Sequence, residues 1–264
     1  MSRAATIHSP ANPLVKDVRR AVERRGLTAR GWCVAETFHL LEEALRDATV
    51  RHVLASESAA AAAQARLAAH PGVPLAVLPD GLFQTISATE TSQGVLALVD
   101  LPARECFGSP ALIVVLDGLQ DPGNAGAIVR AAEAFGATGA VFLKGAVSPY
   151  NPKTLRASAG SLFRVPFRHS LEAAEARDSL NQHRIRRYAA VPPRPGEPTP
   201  PLSEVDLRGG CALIVGSEAR GVSPALASGA TAISIPTSGV ESLNAAAAAA
   251  ILLYEARRQR SARP

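Results

Sequence analysis

From Ala111 onward the chain alternates short apolar runs with stretches of helical periodicity. ALIVVLDGL, GAVFLKG, RRYAAVP, CALIVGSE and AISIP each have the length of a strand. Most are apolar at nearly every position rather than at every second one. That is the pattern of strands buried on both faces, as in a parallel sheet covered by helices. After the first run, Ile128, Ala131, Ala132 and Phe135 recur at the i, i+3, i+4, i+7 spacing of a buried helix face. A last helix is expected from near Leu243 towards Arg258. The front of the chain shows the same alternation on a smaller scale. PLVKDVRRAVERR, residues 13–25, reads as an amphipathic basic helix. GWCVAETFHLLEEALRD reads as a strand and then a helix with Phe38, Leu41 and Leu45 on one side. VRHVLAS, VPLAVLP and GVLALVDLP read as strands, and AAAAAQARLAAH as a helix. The pattern predicts two α/β domains: residues 1–100, a polar linker at 101–110 (LPARECFGSP), and a larger domain at 111–264. The proline-rich VPPRPGEPTPPLSE reads as an extended loop inside the second domain.

Composition adds two things. The chain of 264 residues is 47% hydrophobic, enough for two cores, and carries a net charge of +5. That charge is uneven. Arg3, Lys16, Arg19, Arg20, Arg24, Arg25 and Arg30 face only Asp17 and Glu23 in the first thirty residues. A second cluster is Arg184, Arg186 and Arg187, and a third is RRQRSAR, from Arg257 to Arg263. Such clusters suit a polyanionic partner, or else a solvated helix face and a frayed tail. Cys33, Cys106 and Cys211 form no C-x-x-C pair, which predicts free thiols in a reducing compartment. The histidines show no metal-binding spacing, and no long uncharged apolar run or signal peptide is visible. These features predict a soluble cytoplasmic protein without a metal site or membrane span.

Three loops carry the candidate chemistry. In DPGNAGAIVR, Asn124 stands where a helix N-cap is expected, just before Ala125. A helix N-terminus after a strand suits anions and polar ligands. Yet G-x-x-x-x-G-K-[ST] is absent, and so is G-x-G-x-x-G, which argues against a P-loop enzyme and a dinucleotide-dependent oxidoreductase. The second loop, ALIVGSEARGVSP, runs a strand into Gly216, Ser217 and Glu218, bends at Gly221 and opens a short helix at Ser223-Pro224. The third, AISIPTSGVESLNAAAAAA, ends a strand at Ile235-Pro236 and starts the last helix near Ser242-Leu243-Asn244. Its alanine run is explained by helix propensity, by close packing of another segment, or by both. Loops of this kind converge at the carboxyl edge of a parallel sheet, where ligands bind.

The ordered motifs N-x-G-x-I-x-R (Asn124, Gly126, Ile128, Arg130), G-S-E-x-x-G (Gly216 to Gly221) and I-P…E-S-L-N (Ile235 to Asn244) resemble the SpoU/TrmH branch of the SPOUT RNA methyltransferases. The resemblance spans about Leu112 to Arg257 and includes SPYNPKTLRASAGSLFRVPF. NPLVKDVRR, VAETFHLLEEAL and SQGVLALVD look like the L30e-like substrate domain of ribosomal-RNA-modifying members. The resemblance implies an α/β fold, mainly parallel, closed by a deep trefoil knot, with a smaller α/β L30e-like domain in front. It also implies a homodimer and ribose 2′-O-methylation of RNA, most naturally 23S ribosomal RNA, with S-adenosylmethionine as methyl donor. Transfer RNA as substrate, or a non-catalytic RNA-binding module, are the alternatives.

By the same match, Gly216, Ser217, Glu218, Gly221, Ile235, Pro236, Ser242, Leu243 and Asn244 are implied to contact the cofactor. Arg130, Asn124, Glu218, Ser242 and Asn244 form the implied catalytic set. Guanidinium groups stay protonated in proteins, so Arg130 is expected to grip the substrate phosphate rather than act as a base; the plain alternative is a surface pair with Glu133. Asn124 is expected to cap its helix, to orient the ribose, or both. Glu218 is expected to accept a proton or, preferably, to fix the loops by accepting hydrogen bonds. Ser242 is expected to cap the last helix or join the site. One departure stands out: the family commonly continues S-L-N with Val-Ser-Val, whereas this chain has Ala245, Ala246 and Ala247.

Overall fold

The computed structural model describes residues 5–101, 105–192 and 199–261. Arg3, Arg263, part of the expected linker and the middle of the proline-rich segment lie outside them. In chain order the elements are β1 (Ala5–Thr6), α1 (Pro13–Glu23), β2 (Cys33–Glu36), α2 (Phe38–Asp47), β3 (Thr49–Ser56), α3 (Ala60–Arg66), β4 (Leu75–Leu78), α4 (Asp80–Gln84) and β5 (Val95–Asp100). There follow β6 (Leu112–Asp117), α5 (Pro122–Ala134), β7 (Gly139–Leu143), α6 (Pro152–Ala157), α7 (Ser161–Arg164), β8 (Phe167–Leu171), α8 (Ala173–Gln182), β9 (Arg186–Ala190), β10 (Cys211–Gly216), α9 (Pro224–Ala227), β11 (Thr231–Ile233) and α10 (Ala245–Ser261).

Two compact units result, Met1–Pro102 with Tyr150–Arg164, and Ala103–Pro149 with Val165–Pro264. The front unit holds a five-stranded mixed sheet ordered β1-β4-β3-β5-β2, in which β5 runs antiparallel to both β2 and β3. Val15, Val18 and Ala21 turn one side of α1 onto Leu54, Ala76, Leu96 and Leu98 of that sheet. The chain re-enters this unit at Tyr150, which its short, weakly periodic helices do not announce. There α6 packs on β2 and α7 on α2. Arg164 Nη1 donates to Glu43 Oε2 at 2.5 Å and to Asp47 Oδ2 at 2.8 Å. Burial alone would raise the Glu43 carboxyl, but the hydrogen bonds from Arg164 and Arg46 hold it below its usual range.

Glu36, at the end of β2, is 1% exposed, and its carboxylate gathers one loop around itself. It accepts from Ser87 Oγ at 2.6 Å, Ala88 N at 2.8 Å, Thr89 Oγ1 at 2.8 Å and Ser92 Oγ at 2.7 Å. A buried charge is tolerable when every lone pair is used, and its removal strands the donors. Glu36→Ala is therefore expected to cost the front unit about 3–4 kcal/mol, the range of a broken buried charged network. Urea unfolding measures this, and an unchanged midpoint would refute the clamp.

The rear unit holds a six-stranded sheet in the order β11-β9-β10-β6-β7-β8, parallel throughout. All six residues of β6 and all five of β7 are buried, as expected for parallel strands covered on both faces. Ile113, Val115, Ile214 and Val141 meet Ala176 and Leu180 of α8 and Leu226 of α9. On the other side α5 and α10 pack together, α5 reaching β7 and α10 reaching β10. The expected linker is no linker from Glu105 on. Cys106 is buried, and a Cβ on Gly139 would come within 2.6 Å of it. All three cysteines are free and buried, and burial pushes the Cys33 thiol up to about 12.

In two of the three basic clusters, some of the arginines turn out to be structural. Arg187 is 9% exposed and donates to the carbonyls of Leu226 and Ser228 at 2.9 Å each, closing the C-terminal end of α9. In the last cluster, Arg258 pairs with Glu255 at 2.7 Å. Arg260 donates to the carbonyls of Leu207 at 3.0 Å, Ala111 at 2.8 Å and Gly209 at 2.5 Å. It pins α10 across the starts of β6 and β10.

Candidate active site

The end of β10 cannot continue straight. Gly216 is followed by Ser217 to Gly221, which fold back so that Ser217 and Gly221 form a bridge. A Cβ on Gly216 would lie 2.1 Å from the Gly221 carbonyl carbon and 2.4 Å from Val222 N, so only glycine permits this approach. Gly221 itself has φ +67°, in the left-handed region that favours glycine. Beside it, the buried carboxylate of Asp117, at the end of β6, accepts from Ser223 N at 2.6 Å. That bond ties the second loop to the first. In the sequence Asp117 shows only as a lone charge closing the apolar run VVLD, outside the three motifs.

A cavity of about 350 Å³ lies at this carboxyl edge. Val215, Ile233, Ile235 and Leu243 give it apolar walls, and Ser217, Glu218, Thr237 and Ser242 a polar rim. Ala245 and Ala248, on the first turns of α10, also line it, so the alanine run leaves room that larger side chains would fill. The volume and mixed lining suit one organic ligand of nucleoside size rather than a polyphosphate. Of the expected cofactor residues, Gly216, Ser217, Glu218, Gly221, Ile235, Ser242 and Leu243 line the cavity, whereas Pro236 and Asn244 do not. Ala190, at the end of β9, and the following Val191 and Pro192 line it too, outside the three motifs.

Asn244 instead anchors a chain of hydrogen bonds. Its Oδ1 accepts from Ala246 N at 2.9 Å and Ala247 N at 3.3 Å, which makes Asn244, not Ser242, the cap of α10. Its Nδ2 must then donate, and does so to Asn124 Oδ1 at 3.0 Å. Asn124 Nδ2 in turn donates to Glu218 Oε1 at 3.0 Å. Each amide orientation follows from the one before it, so the direction of the relay is fixed from the backbone outward. The three loops are thereby joined, with a carboxylate at one end and the positive end of α10 at the other.

This arrangement corrects the expected role of Asn124 as a helix cap. The cap of α5 is Asp121, whose Oδ1 accepts from Asn124 N at 2.6 Å, with Pro122 opening the helix. Asp-Pro is the stronger start signal, because the carboxylate caps well and proline is preset for the first turn. Asn124 sits one turn in, and its side chain is released for the relay. Arg130 lies on the exposed face of α5, about 9 Å further along its axis. It lines no part of the cavity and has no side-chain partner among the described residues. Ala246, at the position of the missing serine, donates its backbone N–H to Asn244 and stands outside the cavity.

A parallel α/β sheet with three joined loops and a nucleoside-sized cavity at its carboxyl edge defines a cofactor-binding enzyme domain, preceded in the chain by a small mixed α/β unit. The pattern of the SpoU rRNA methylase family matches residues 111–254, more than half of the chain, and that of an MRM3-like substrate binding domain matches residues 12–97. The chain belongs to the SpoU rRNA methylase family. It is 31% identical over 95% of its length, and 98% of the relative's, to the 23S rRNA (guanosine(2553)-2′-O)-methyltransferase RlmP of Bacillus subtilis. The crystal structure of the SpoU methyltransferase AviRb from Streptomyces viridochromogenes in complex with the cofactor AdoMet superposes with a TM-score of 0.84 at 27% identity, over 95% of this chain and 99% of that one. A solved structure concerned with 2-OH methylation of C/U34 on tRNA has a TM-score of 0.52 at 31% identity and covers 59% of this chain and 100% of its own.

Proposed function

We propose that the protein is an RNA ribose 2′-O-methyltransferase that uses S-adenosylmethionine and acts on ribosomal RNA of the large subunit. The observation that carries this reading is the cavity at the ends of β9 and β10, bounded by the Gly216 loop, whose Glu218 is held by the relay from Asn244 through Asn124. When bound, the cofactor supplies an electrophilic methyl group. The chain's residues have to do the rest. The apolar walls hold the nucleoside and exclude water, and the backbone around Gly216, Ile235 and Leu243 offers polar contacts. Glu218 is engaged by Asn124 and acts as the acceptor that locks the loops, not as a free base. Arg130, exposed and unpaired, grips the RNA phosphate next to the target ribose and aligns its 2′-hydroxyl; alignment of this kind is a large part of such a reaction.

Ribosomal rather than transfer RNA is favoured by the front unit. The tRNA-methylation structure has no counterpart for about two fifths of this chain, whereas the ribosomal relative is matched nearly end to end. A homodimer belongs to the same reading. It is supported by Ile251 at 38% and Tyr254 at 54% exposure on α10, with Phe135 edge-on to Tyr254 at 5.7 Å. A threaded, knotted C-terminal segment is supported by α10 lying against α5. A cytoplasmic site of action follows from the substrate.

Labelled methyl transfer to large-subunit ribosomal RNA lacking the modification, followed by mapping of the methylated ribose, tests the proposal. A single new 2′-O-methyl position is the expected result. A protein that fails to bind S-adenosylmethionine would overturn it.

A further inference from the structure

We infer that the exposed face of α1, with the adjacent Arg30 loop, is the surface by which the front unit grips the phosphate backbone of the RNA substrate. The inference rests on the RNA reading above and adds to it where the RNA lies. Lys16, Arg20 and Arg24 recur every four residues, so they form one stripe along the helix, spaced about 6 Å per step. The stripe lies opposite Val15, Val18 and Ala21, which face the core. The side chains of Lys16, Arg20, Arg24 and Arg25 have no hydrogen-bond or ion-pair partner among the described residues.

The loop after α1 is built to add a further cation. Asp17 Oδ1 accepts from Ala29 N at 2.7 Å and so holds the loop along the helix. The next residue, Arg30, places its guanidinium over the ring of Trp32, 5.2 Å from the centroid, while Trp32 packs against the core. A cation held in this way loses little freedom on binding an anion.

Helix stability does not explain the stripe. Cations help at a helix C-terminus, which accounts for Arg20 and Arg24, but Lys16 stands in the first turn, where it opposes the helix dipole. The other two basic clusters are partly engaged in the fold, through Arg187 in the second and Arg258 and Arg260 in the third. In the first, Lys16, Arg20, Arg24 and Arg25 are all exposed.

The full-length chain with Lys16→Gln, Arg20→Gln and Arg24→Gln tests this against deproteinised large-subunit ribosomal RNA. Each lost phosphate contact lowers the slope of log affinity against log salt by about 0.7–0.9, so the triple variant is expected to lower it by about 2. The KM for RNA should rise about tenfold or more, with kcat and cofactor affinity unchanged. The comparison variant, Arg51→Gln with Arg66→Gln, removes cations of the same unit already paired with Asp100 and Glu42. It should change neither slope nor KM. An unchanged slope in the triple variant, or equal losses in both variants, would overturn the assignment. If the wild-type protein binds cofactor and RNA but transfers no methyl group, the reaction reading fails, and the salt slopes still decide the question of the α1 face.

Discussion

Arg130→Ala lowers methyl transfer by about a thousandfold, the size of effect seen when an oriented group that stabilises charge in a transition state is removed. The affinity for S-adenosylmethionine stays within about twofold, because Arg130 lines no part of the cavity. Stability stays within about 0.5 kcal/mol, as for an exposed side chain without partners. These three readings together separate a role in aligning RNA from a role in the fold. Lysine should not restore the rate, since a point charge does not reproduce the planar fork that holds a phosphate at two oxygens. Steady-state kinetics with calorimetric titration of the cofactor make the comparison. A variant that methylates within about threefold of wild type would move the catalytic burden to the Asn244–Asn124–Glu218 relay.

Gly216→Ala is expected to weaken cofactor binding severely. The added methyl would sit 2.1 Å from the carbonyl carbon and 2.3 Å from the carbonyl oxygen of Gly221, and backbone cannot rotate out of the way as a side-chain tip can. The loop must lift. With it go Ser217 and Glu218, which line the cavity, and the contact between Glu218 and Asn124. A loss of about a hundredfold or more in cofactor affinity, about 2.7 kcal/mol, is the expected result. Gly221→Ala is the useful contrast. Nothing lies within 4 Å of its added methyl, so its only cost is the φ of +67°, about 1–2 kcal/mol. If both variants bind cofactor equally well, the close approach at Gly216 is not what shapes the site.

The rear unit was legible in the sequence because its strands are buried on both faces, and a short continuous apolar run such as LIVVLD fits little besides a covered strand. The edge strand β8 was missed for the complementary reason. Arg168, His169 and Ser170 are exposed, so FRHSL carries no apolar signature. The return of residues 150–164 to the front unit was also hidden. It rests on Arg164 meeting Glu43 and Asp47, more than a hundred residues away, and a single sequence does not display such a pairing. Within the site, the motifs brought the right loops together, but Asn124 is not the cap of its helix, and of the two roles open to Ser242 the cap falls to Asn244 while Ser242 lines the cavity. Helix starts are decided locally, and Asp121-Pro122 outcompeted Asn124, while Asn244 outcompeted Ser242. The relay could not be read in advance, because it depends on which atoms the winning caps leave free. Within the basic clusters, the structural members Arg187 and Arg260 look like their exposed neighbours in composition and are set apart only by the carbonyls they meet.

The clamp at Arg260 has a consequence for how the protein is made. Ala111 and Arg260 are 149 residues apart, yet they are joined by a hydrogen bond of 2.8 Å. At a synthesis rate of about 5–20 residues per second, the start of β6 waits roughly ten to thirty seconds for the guanidinium that will cover it. Its partner β10 also arrives about a hundred residues late, so the sheet cannot assemble in step with translation. The cavity needs Leu243 and the first turns of α10, and it therefore exists only after nearly the whole rear unit has been made. A stalled or shortened chain would expose sticky parallel strands and hold no cofactor, whereas a finished one gains sheet, clamp and pocket in the same closing step.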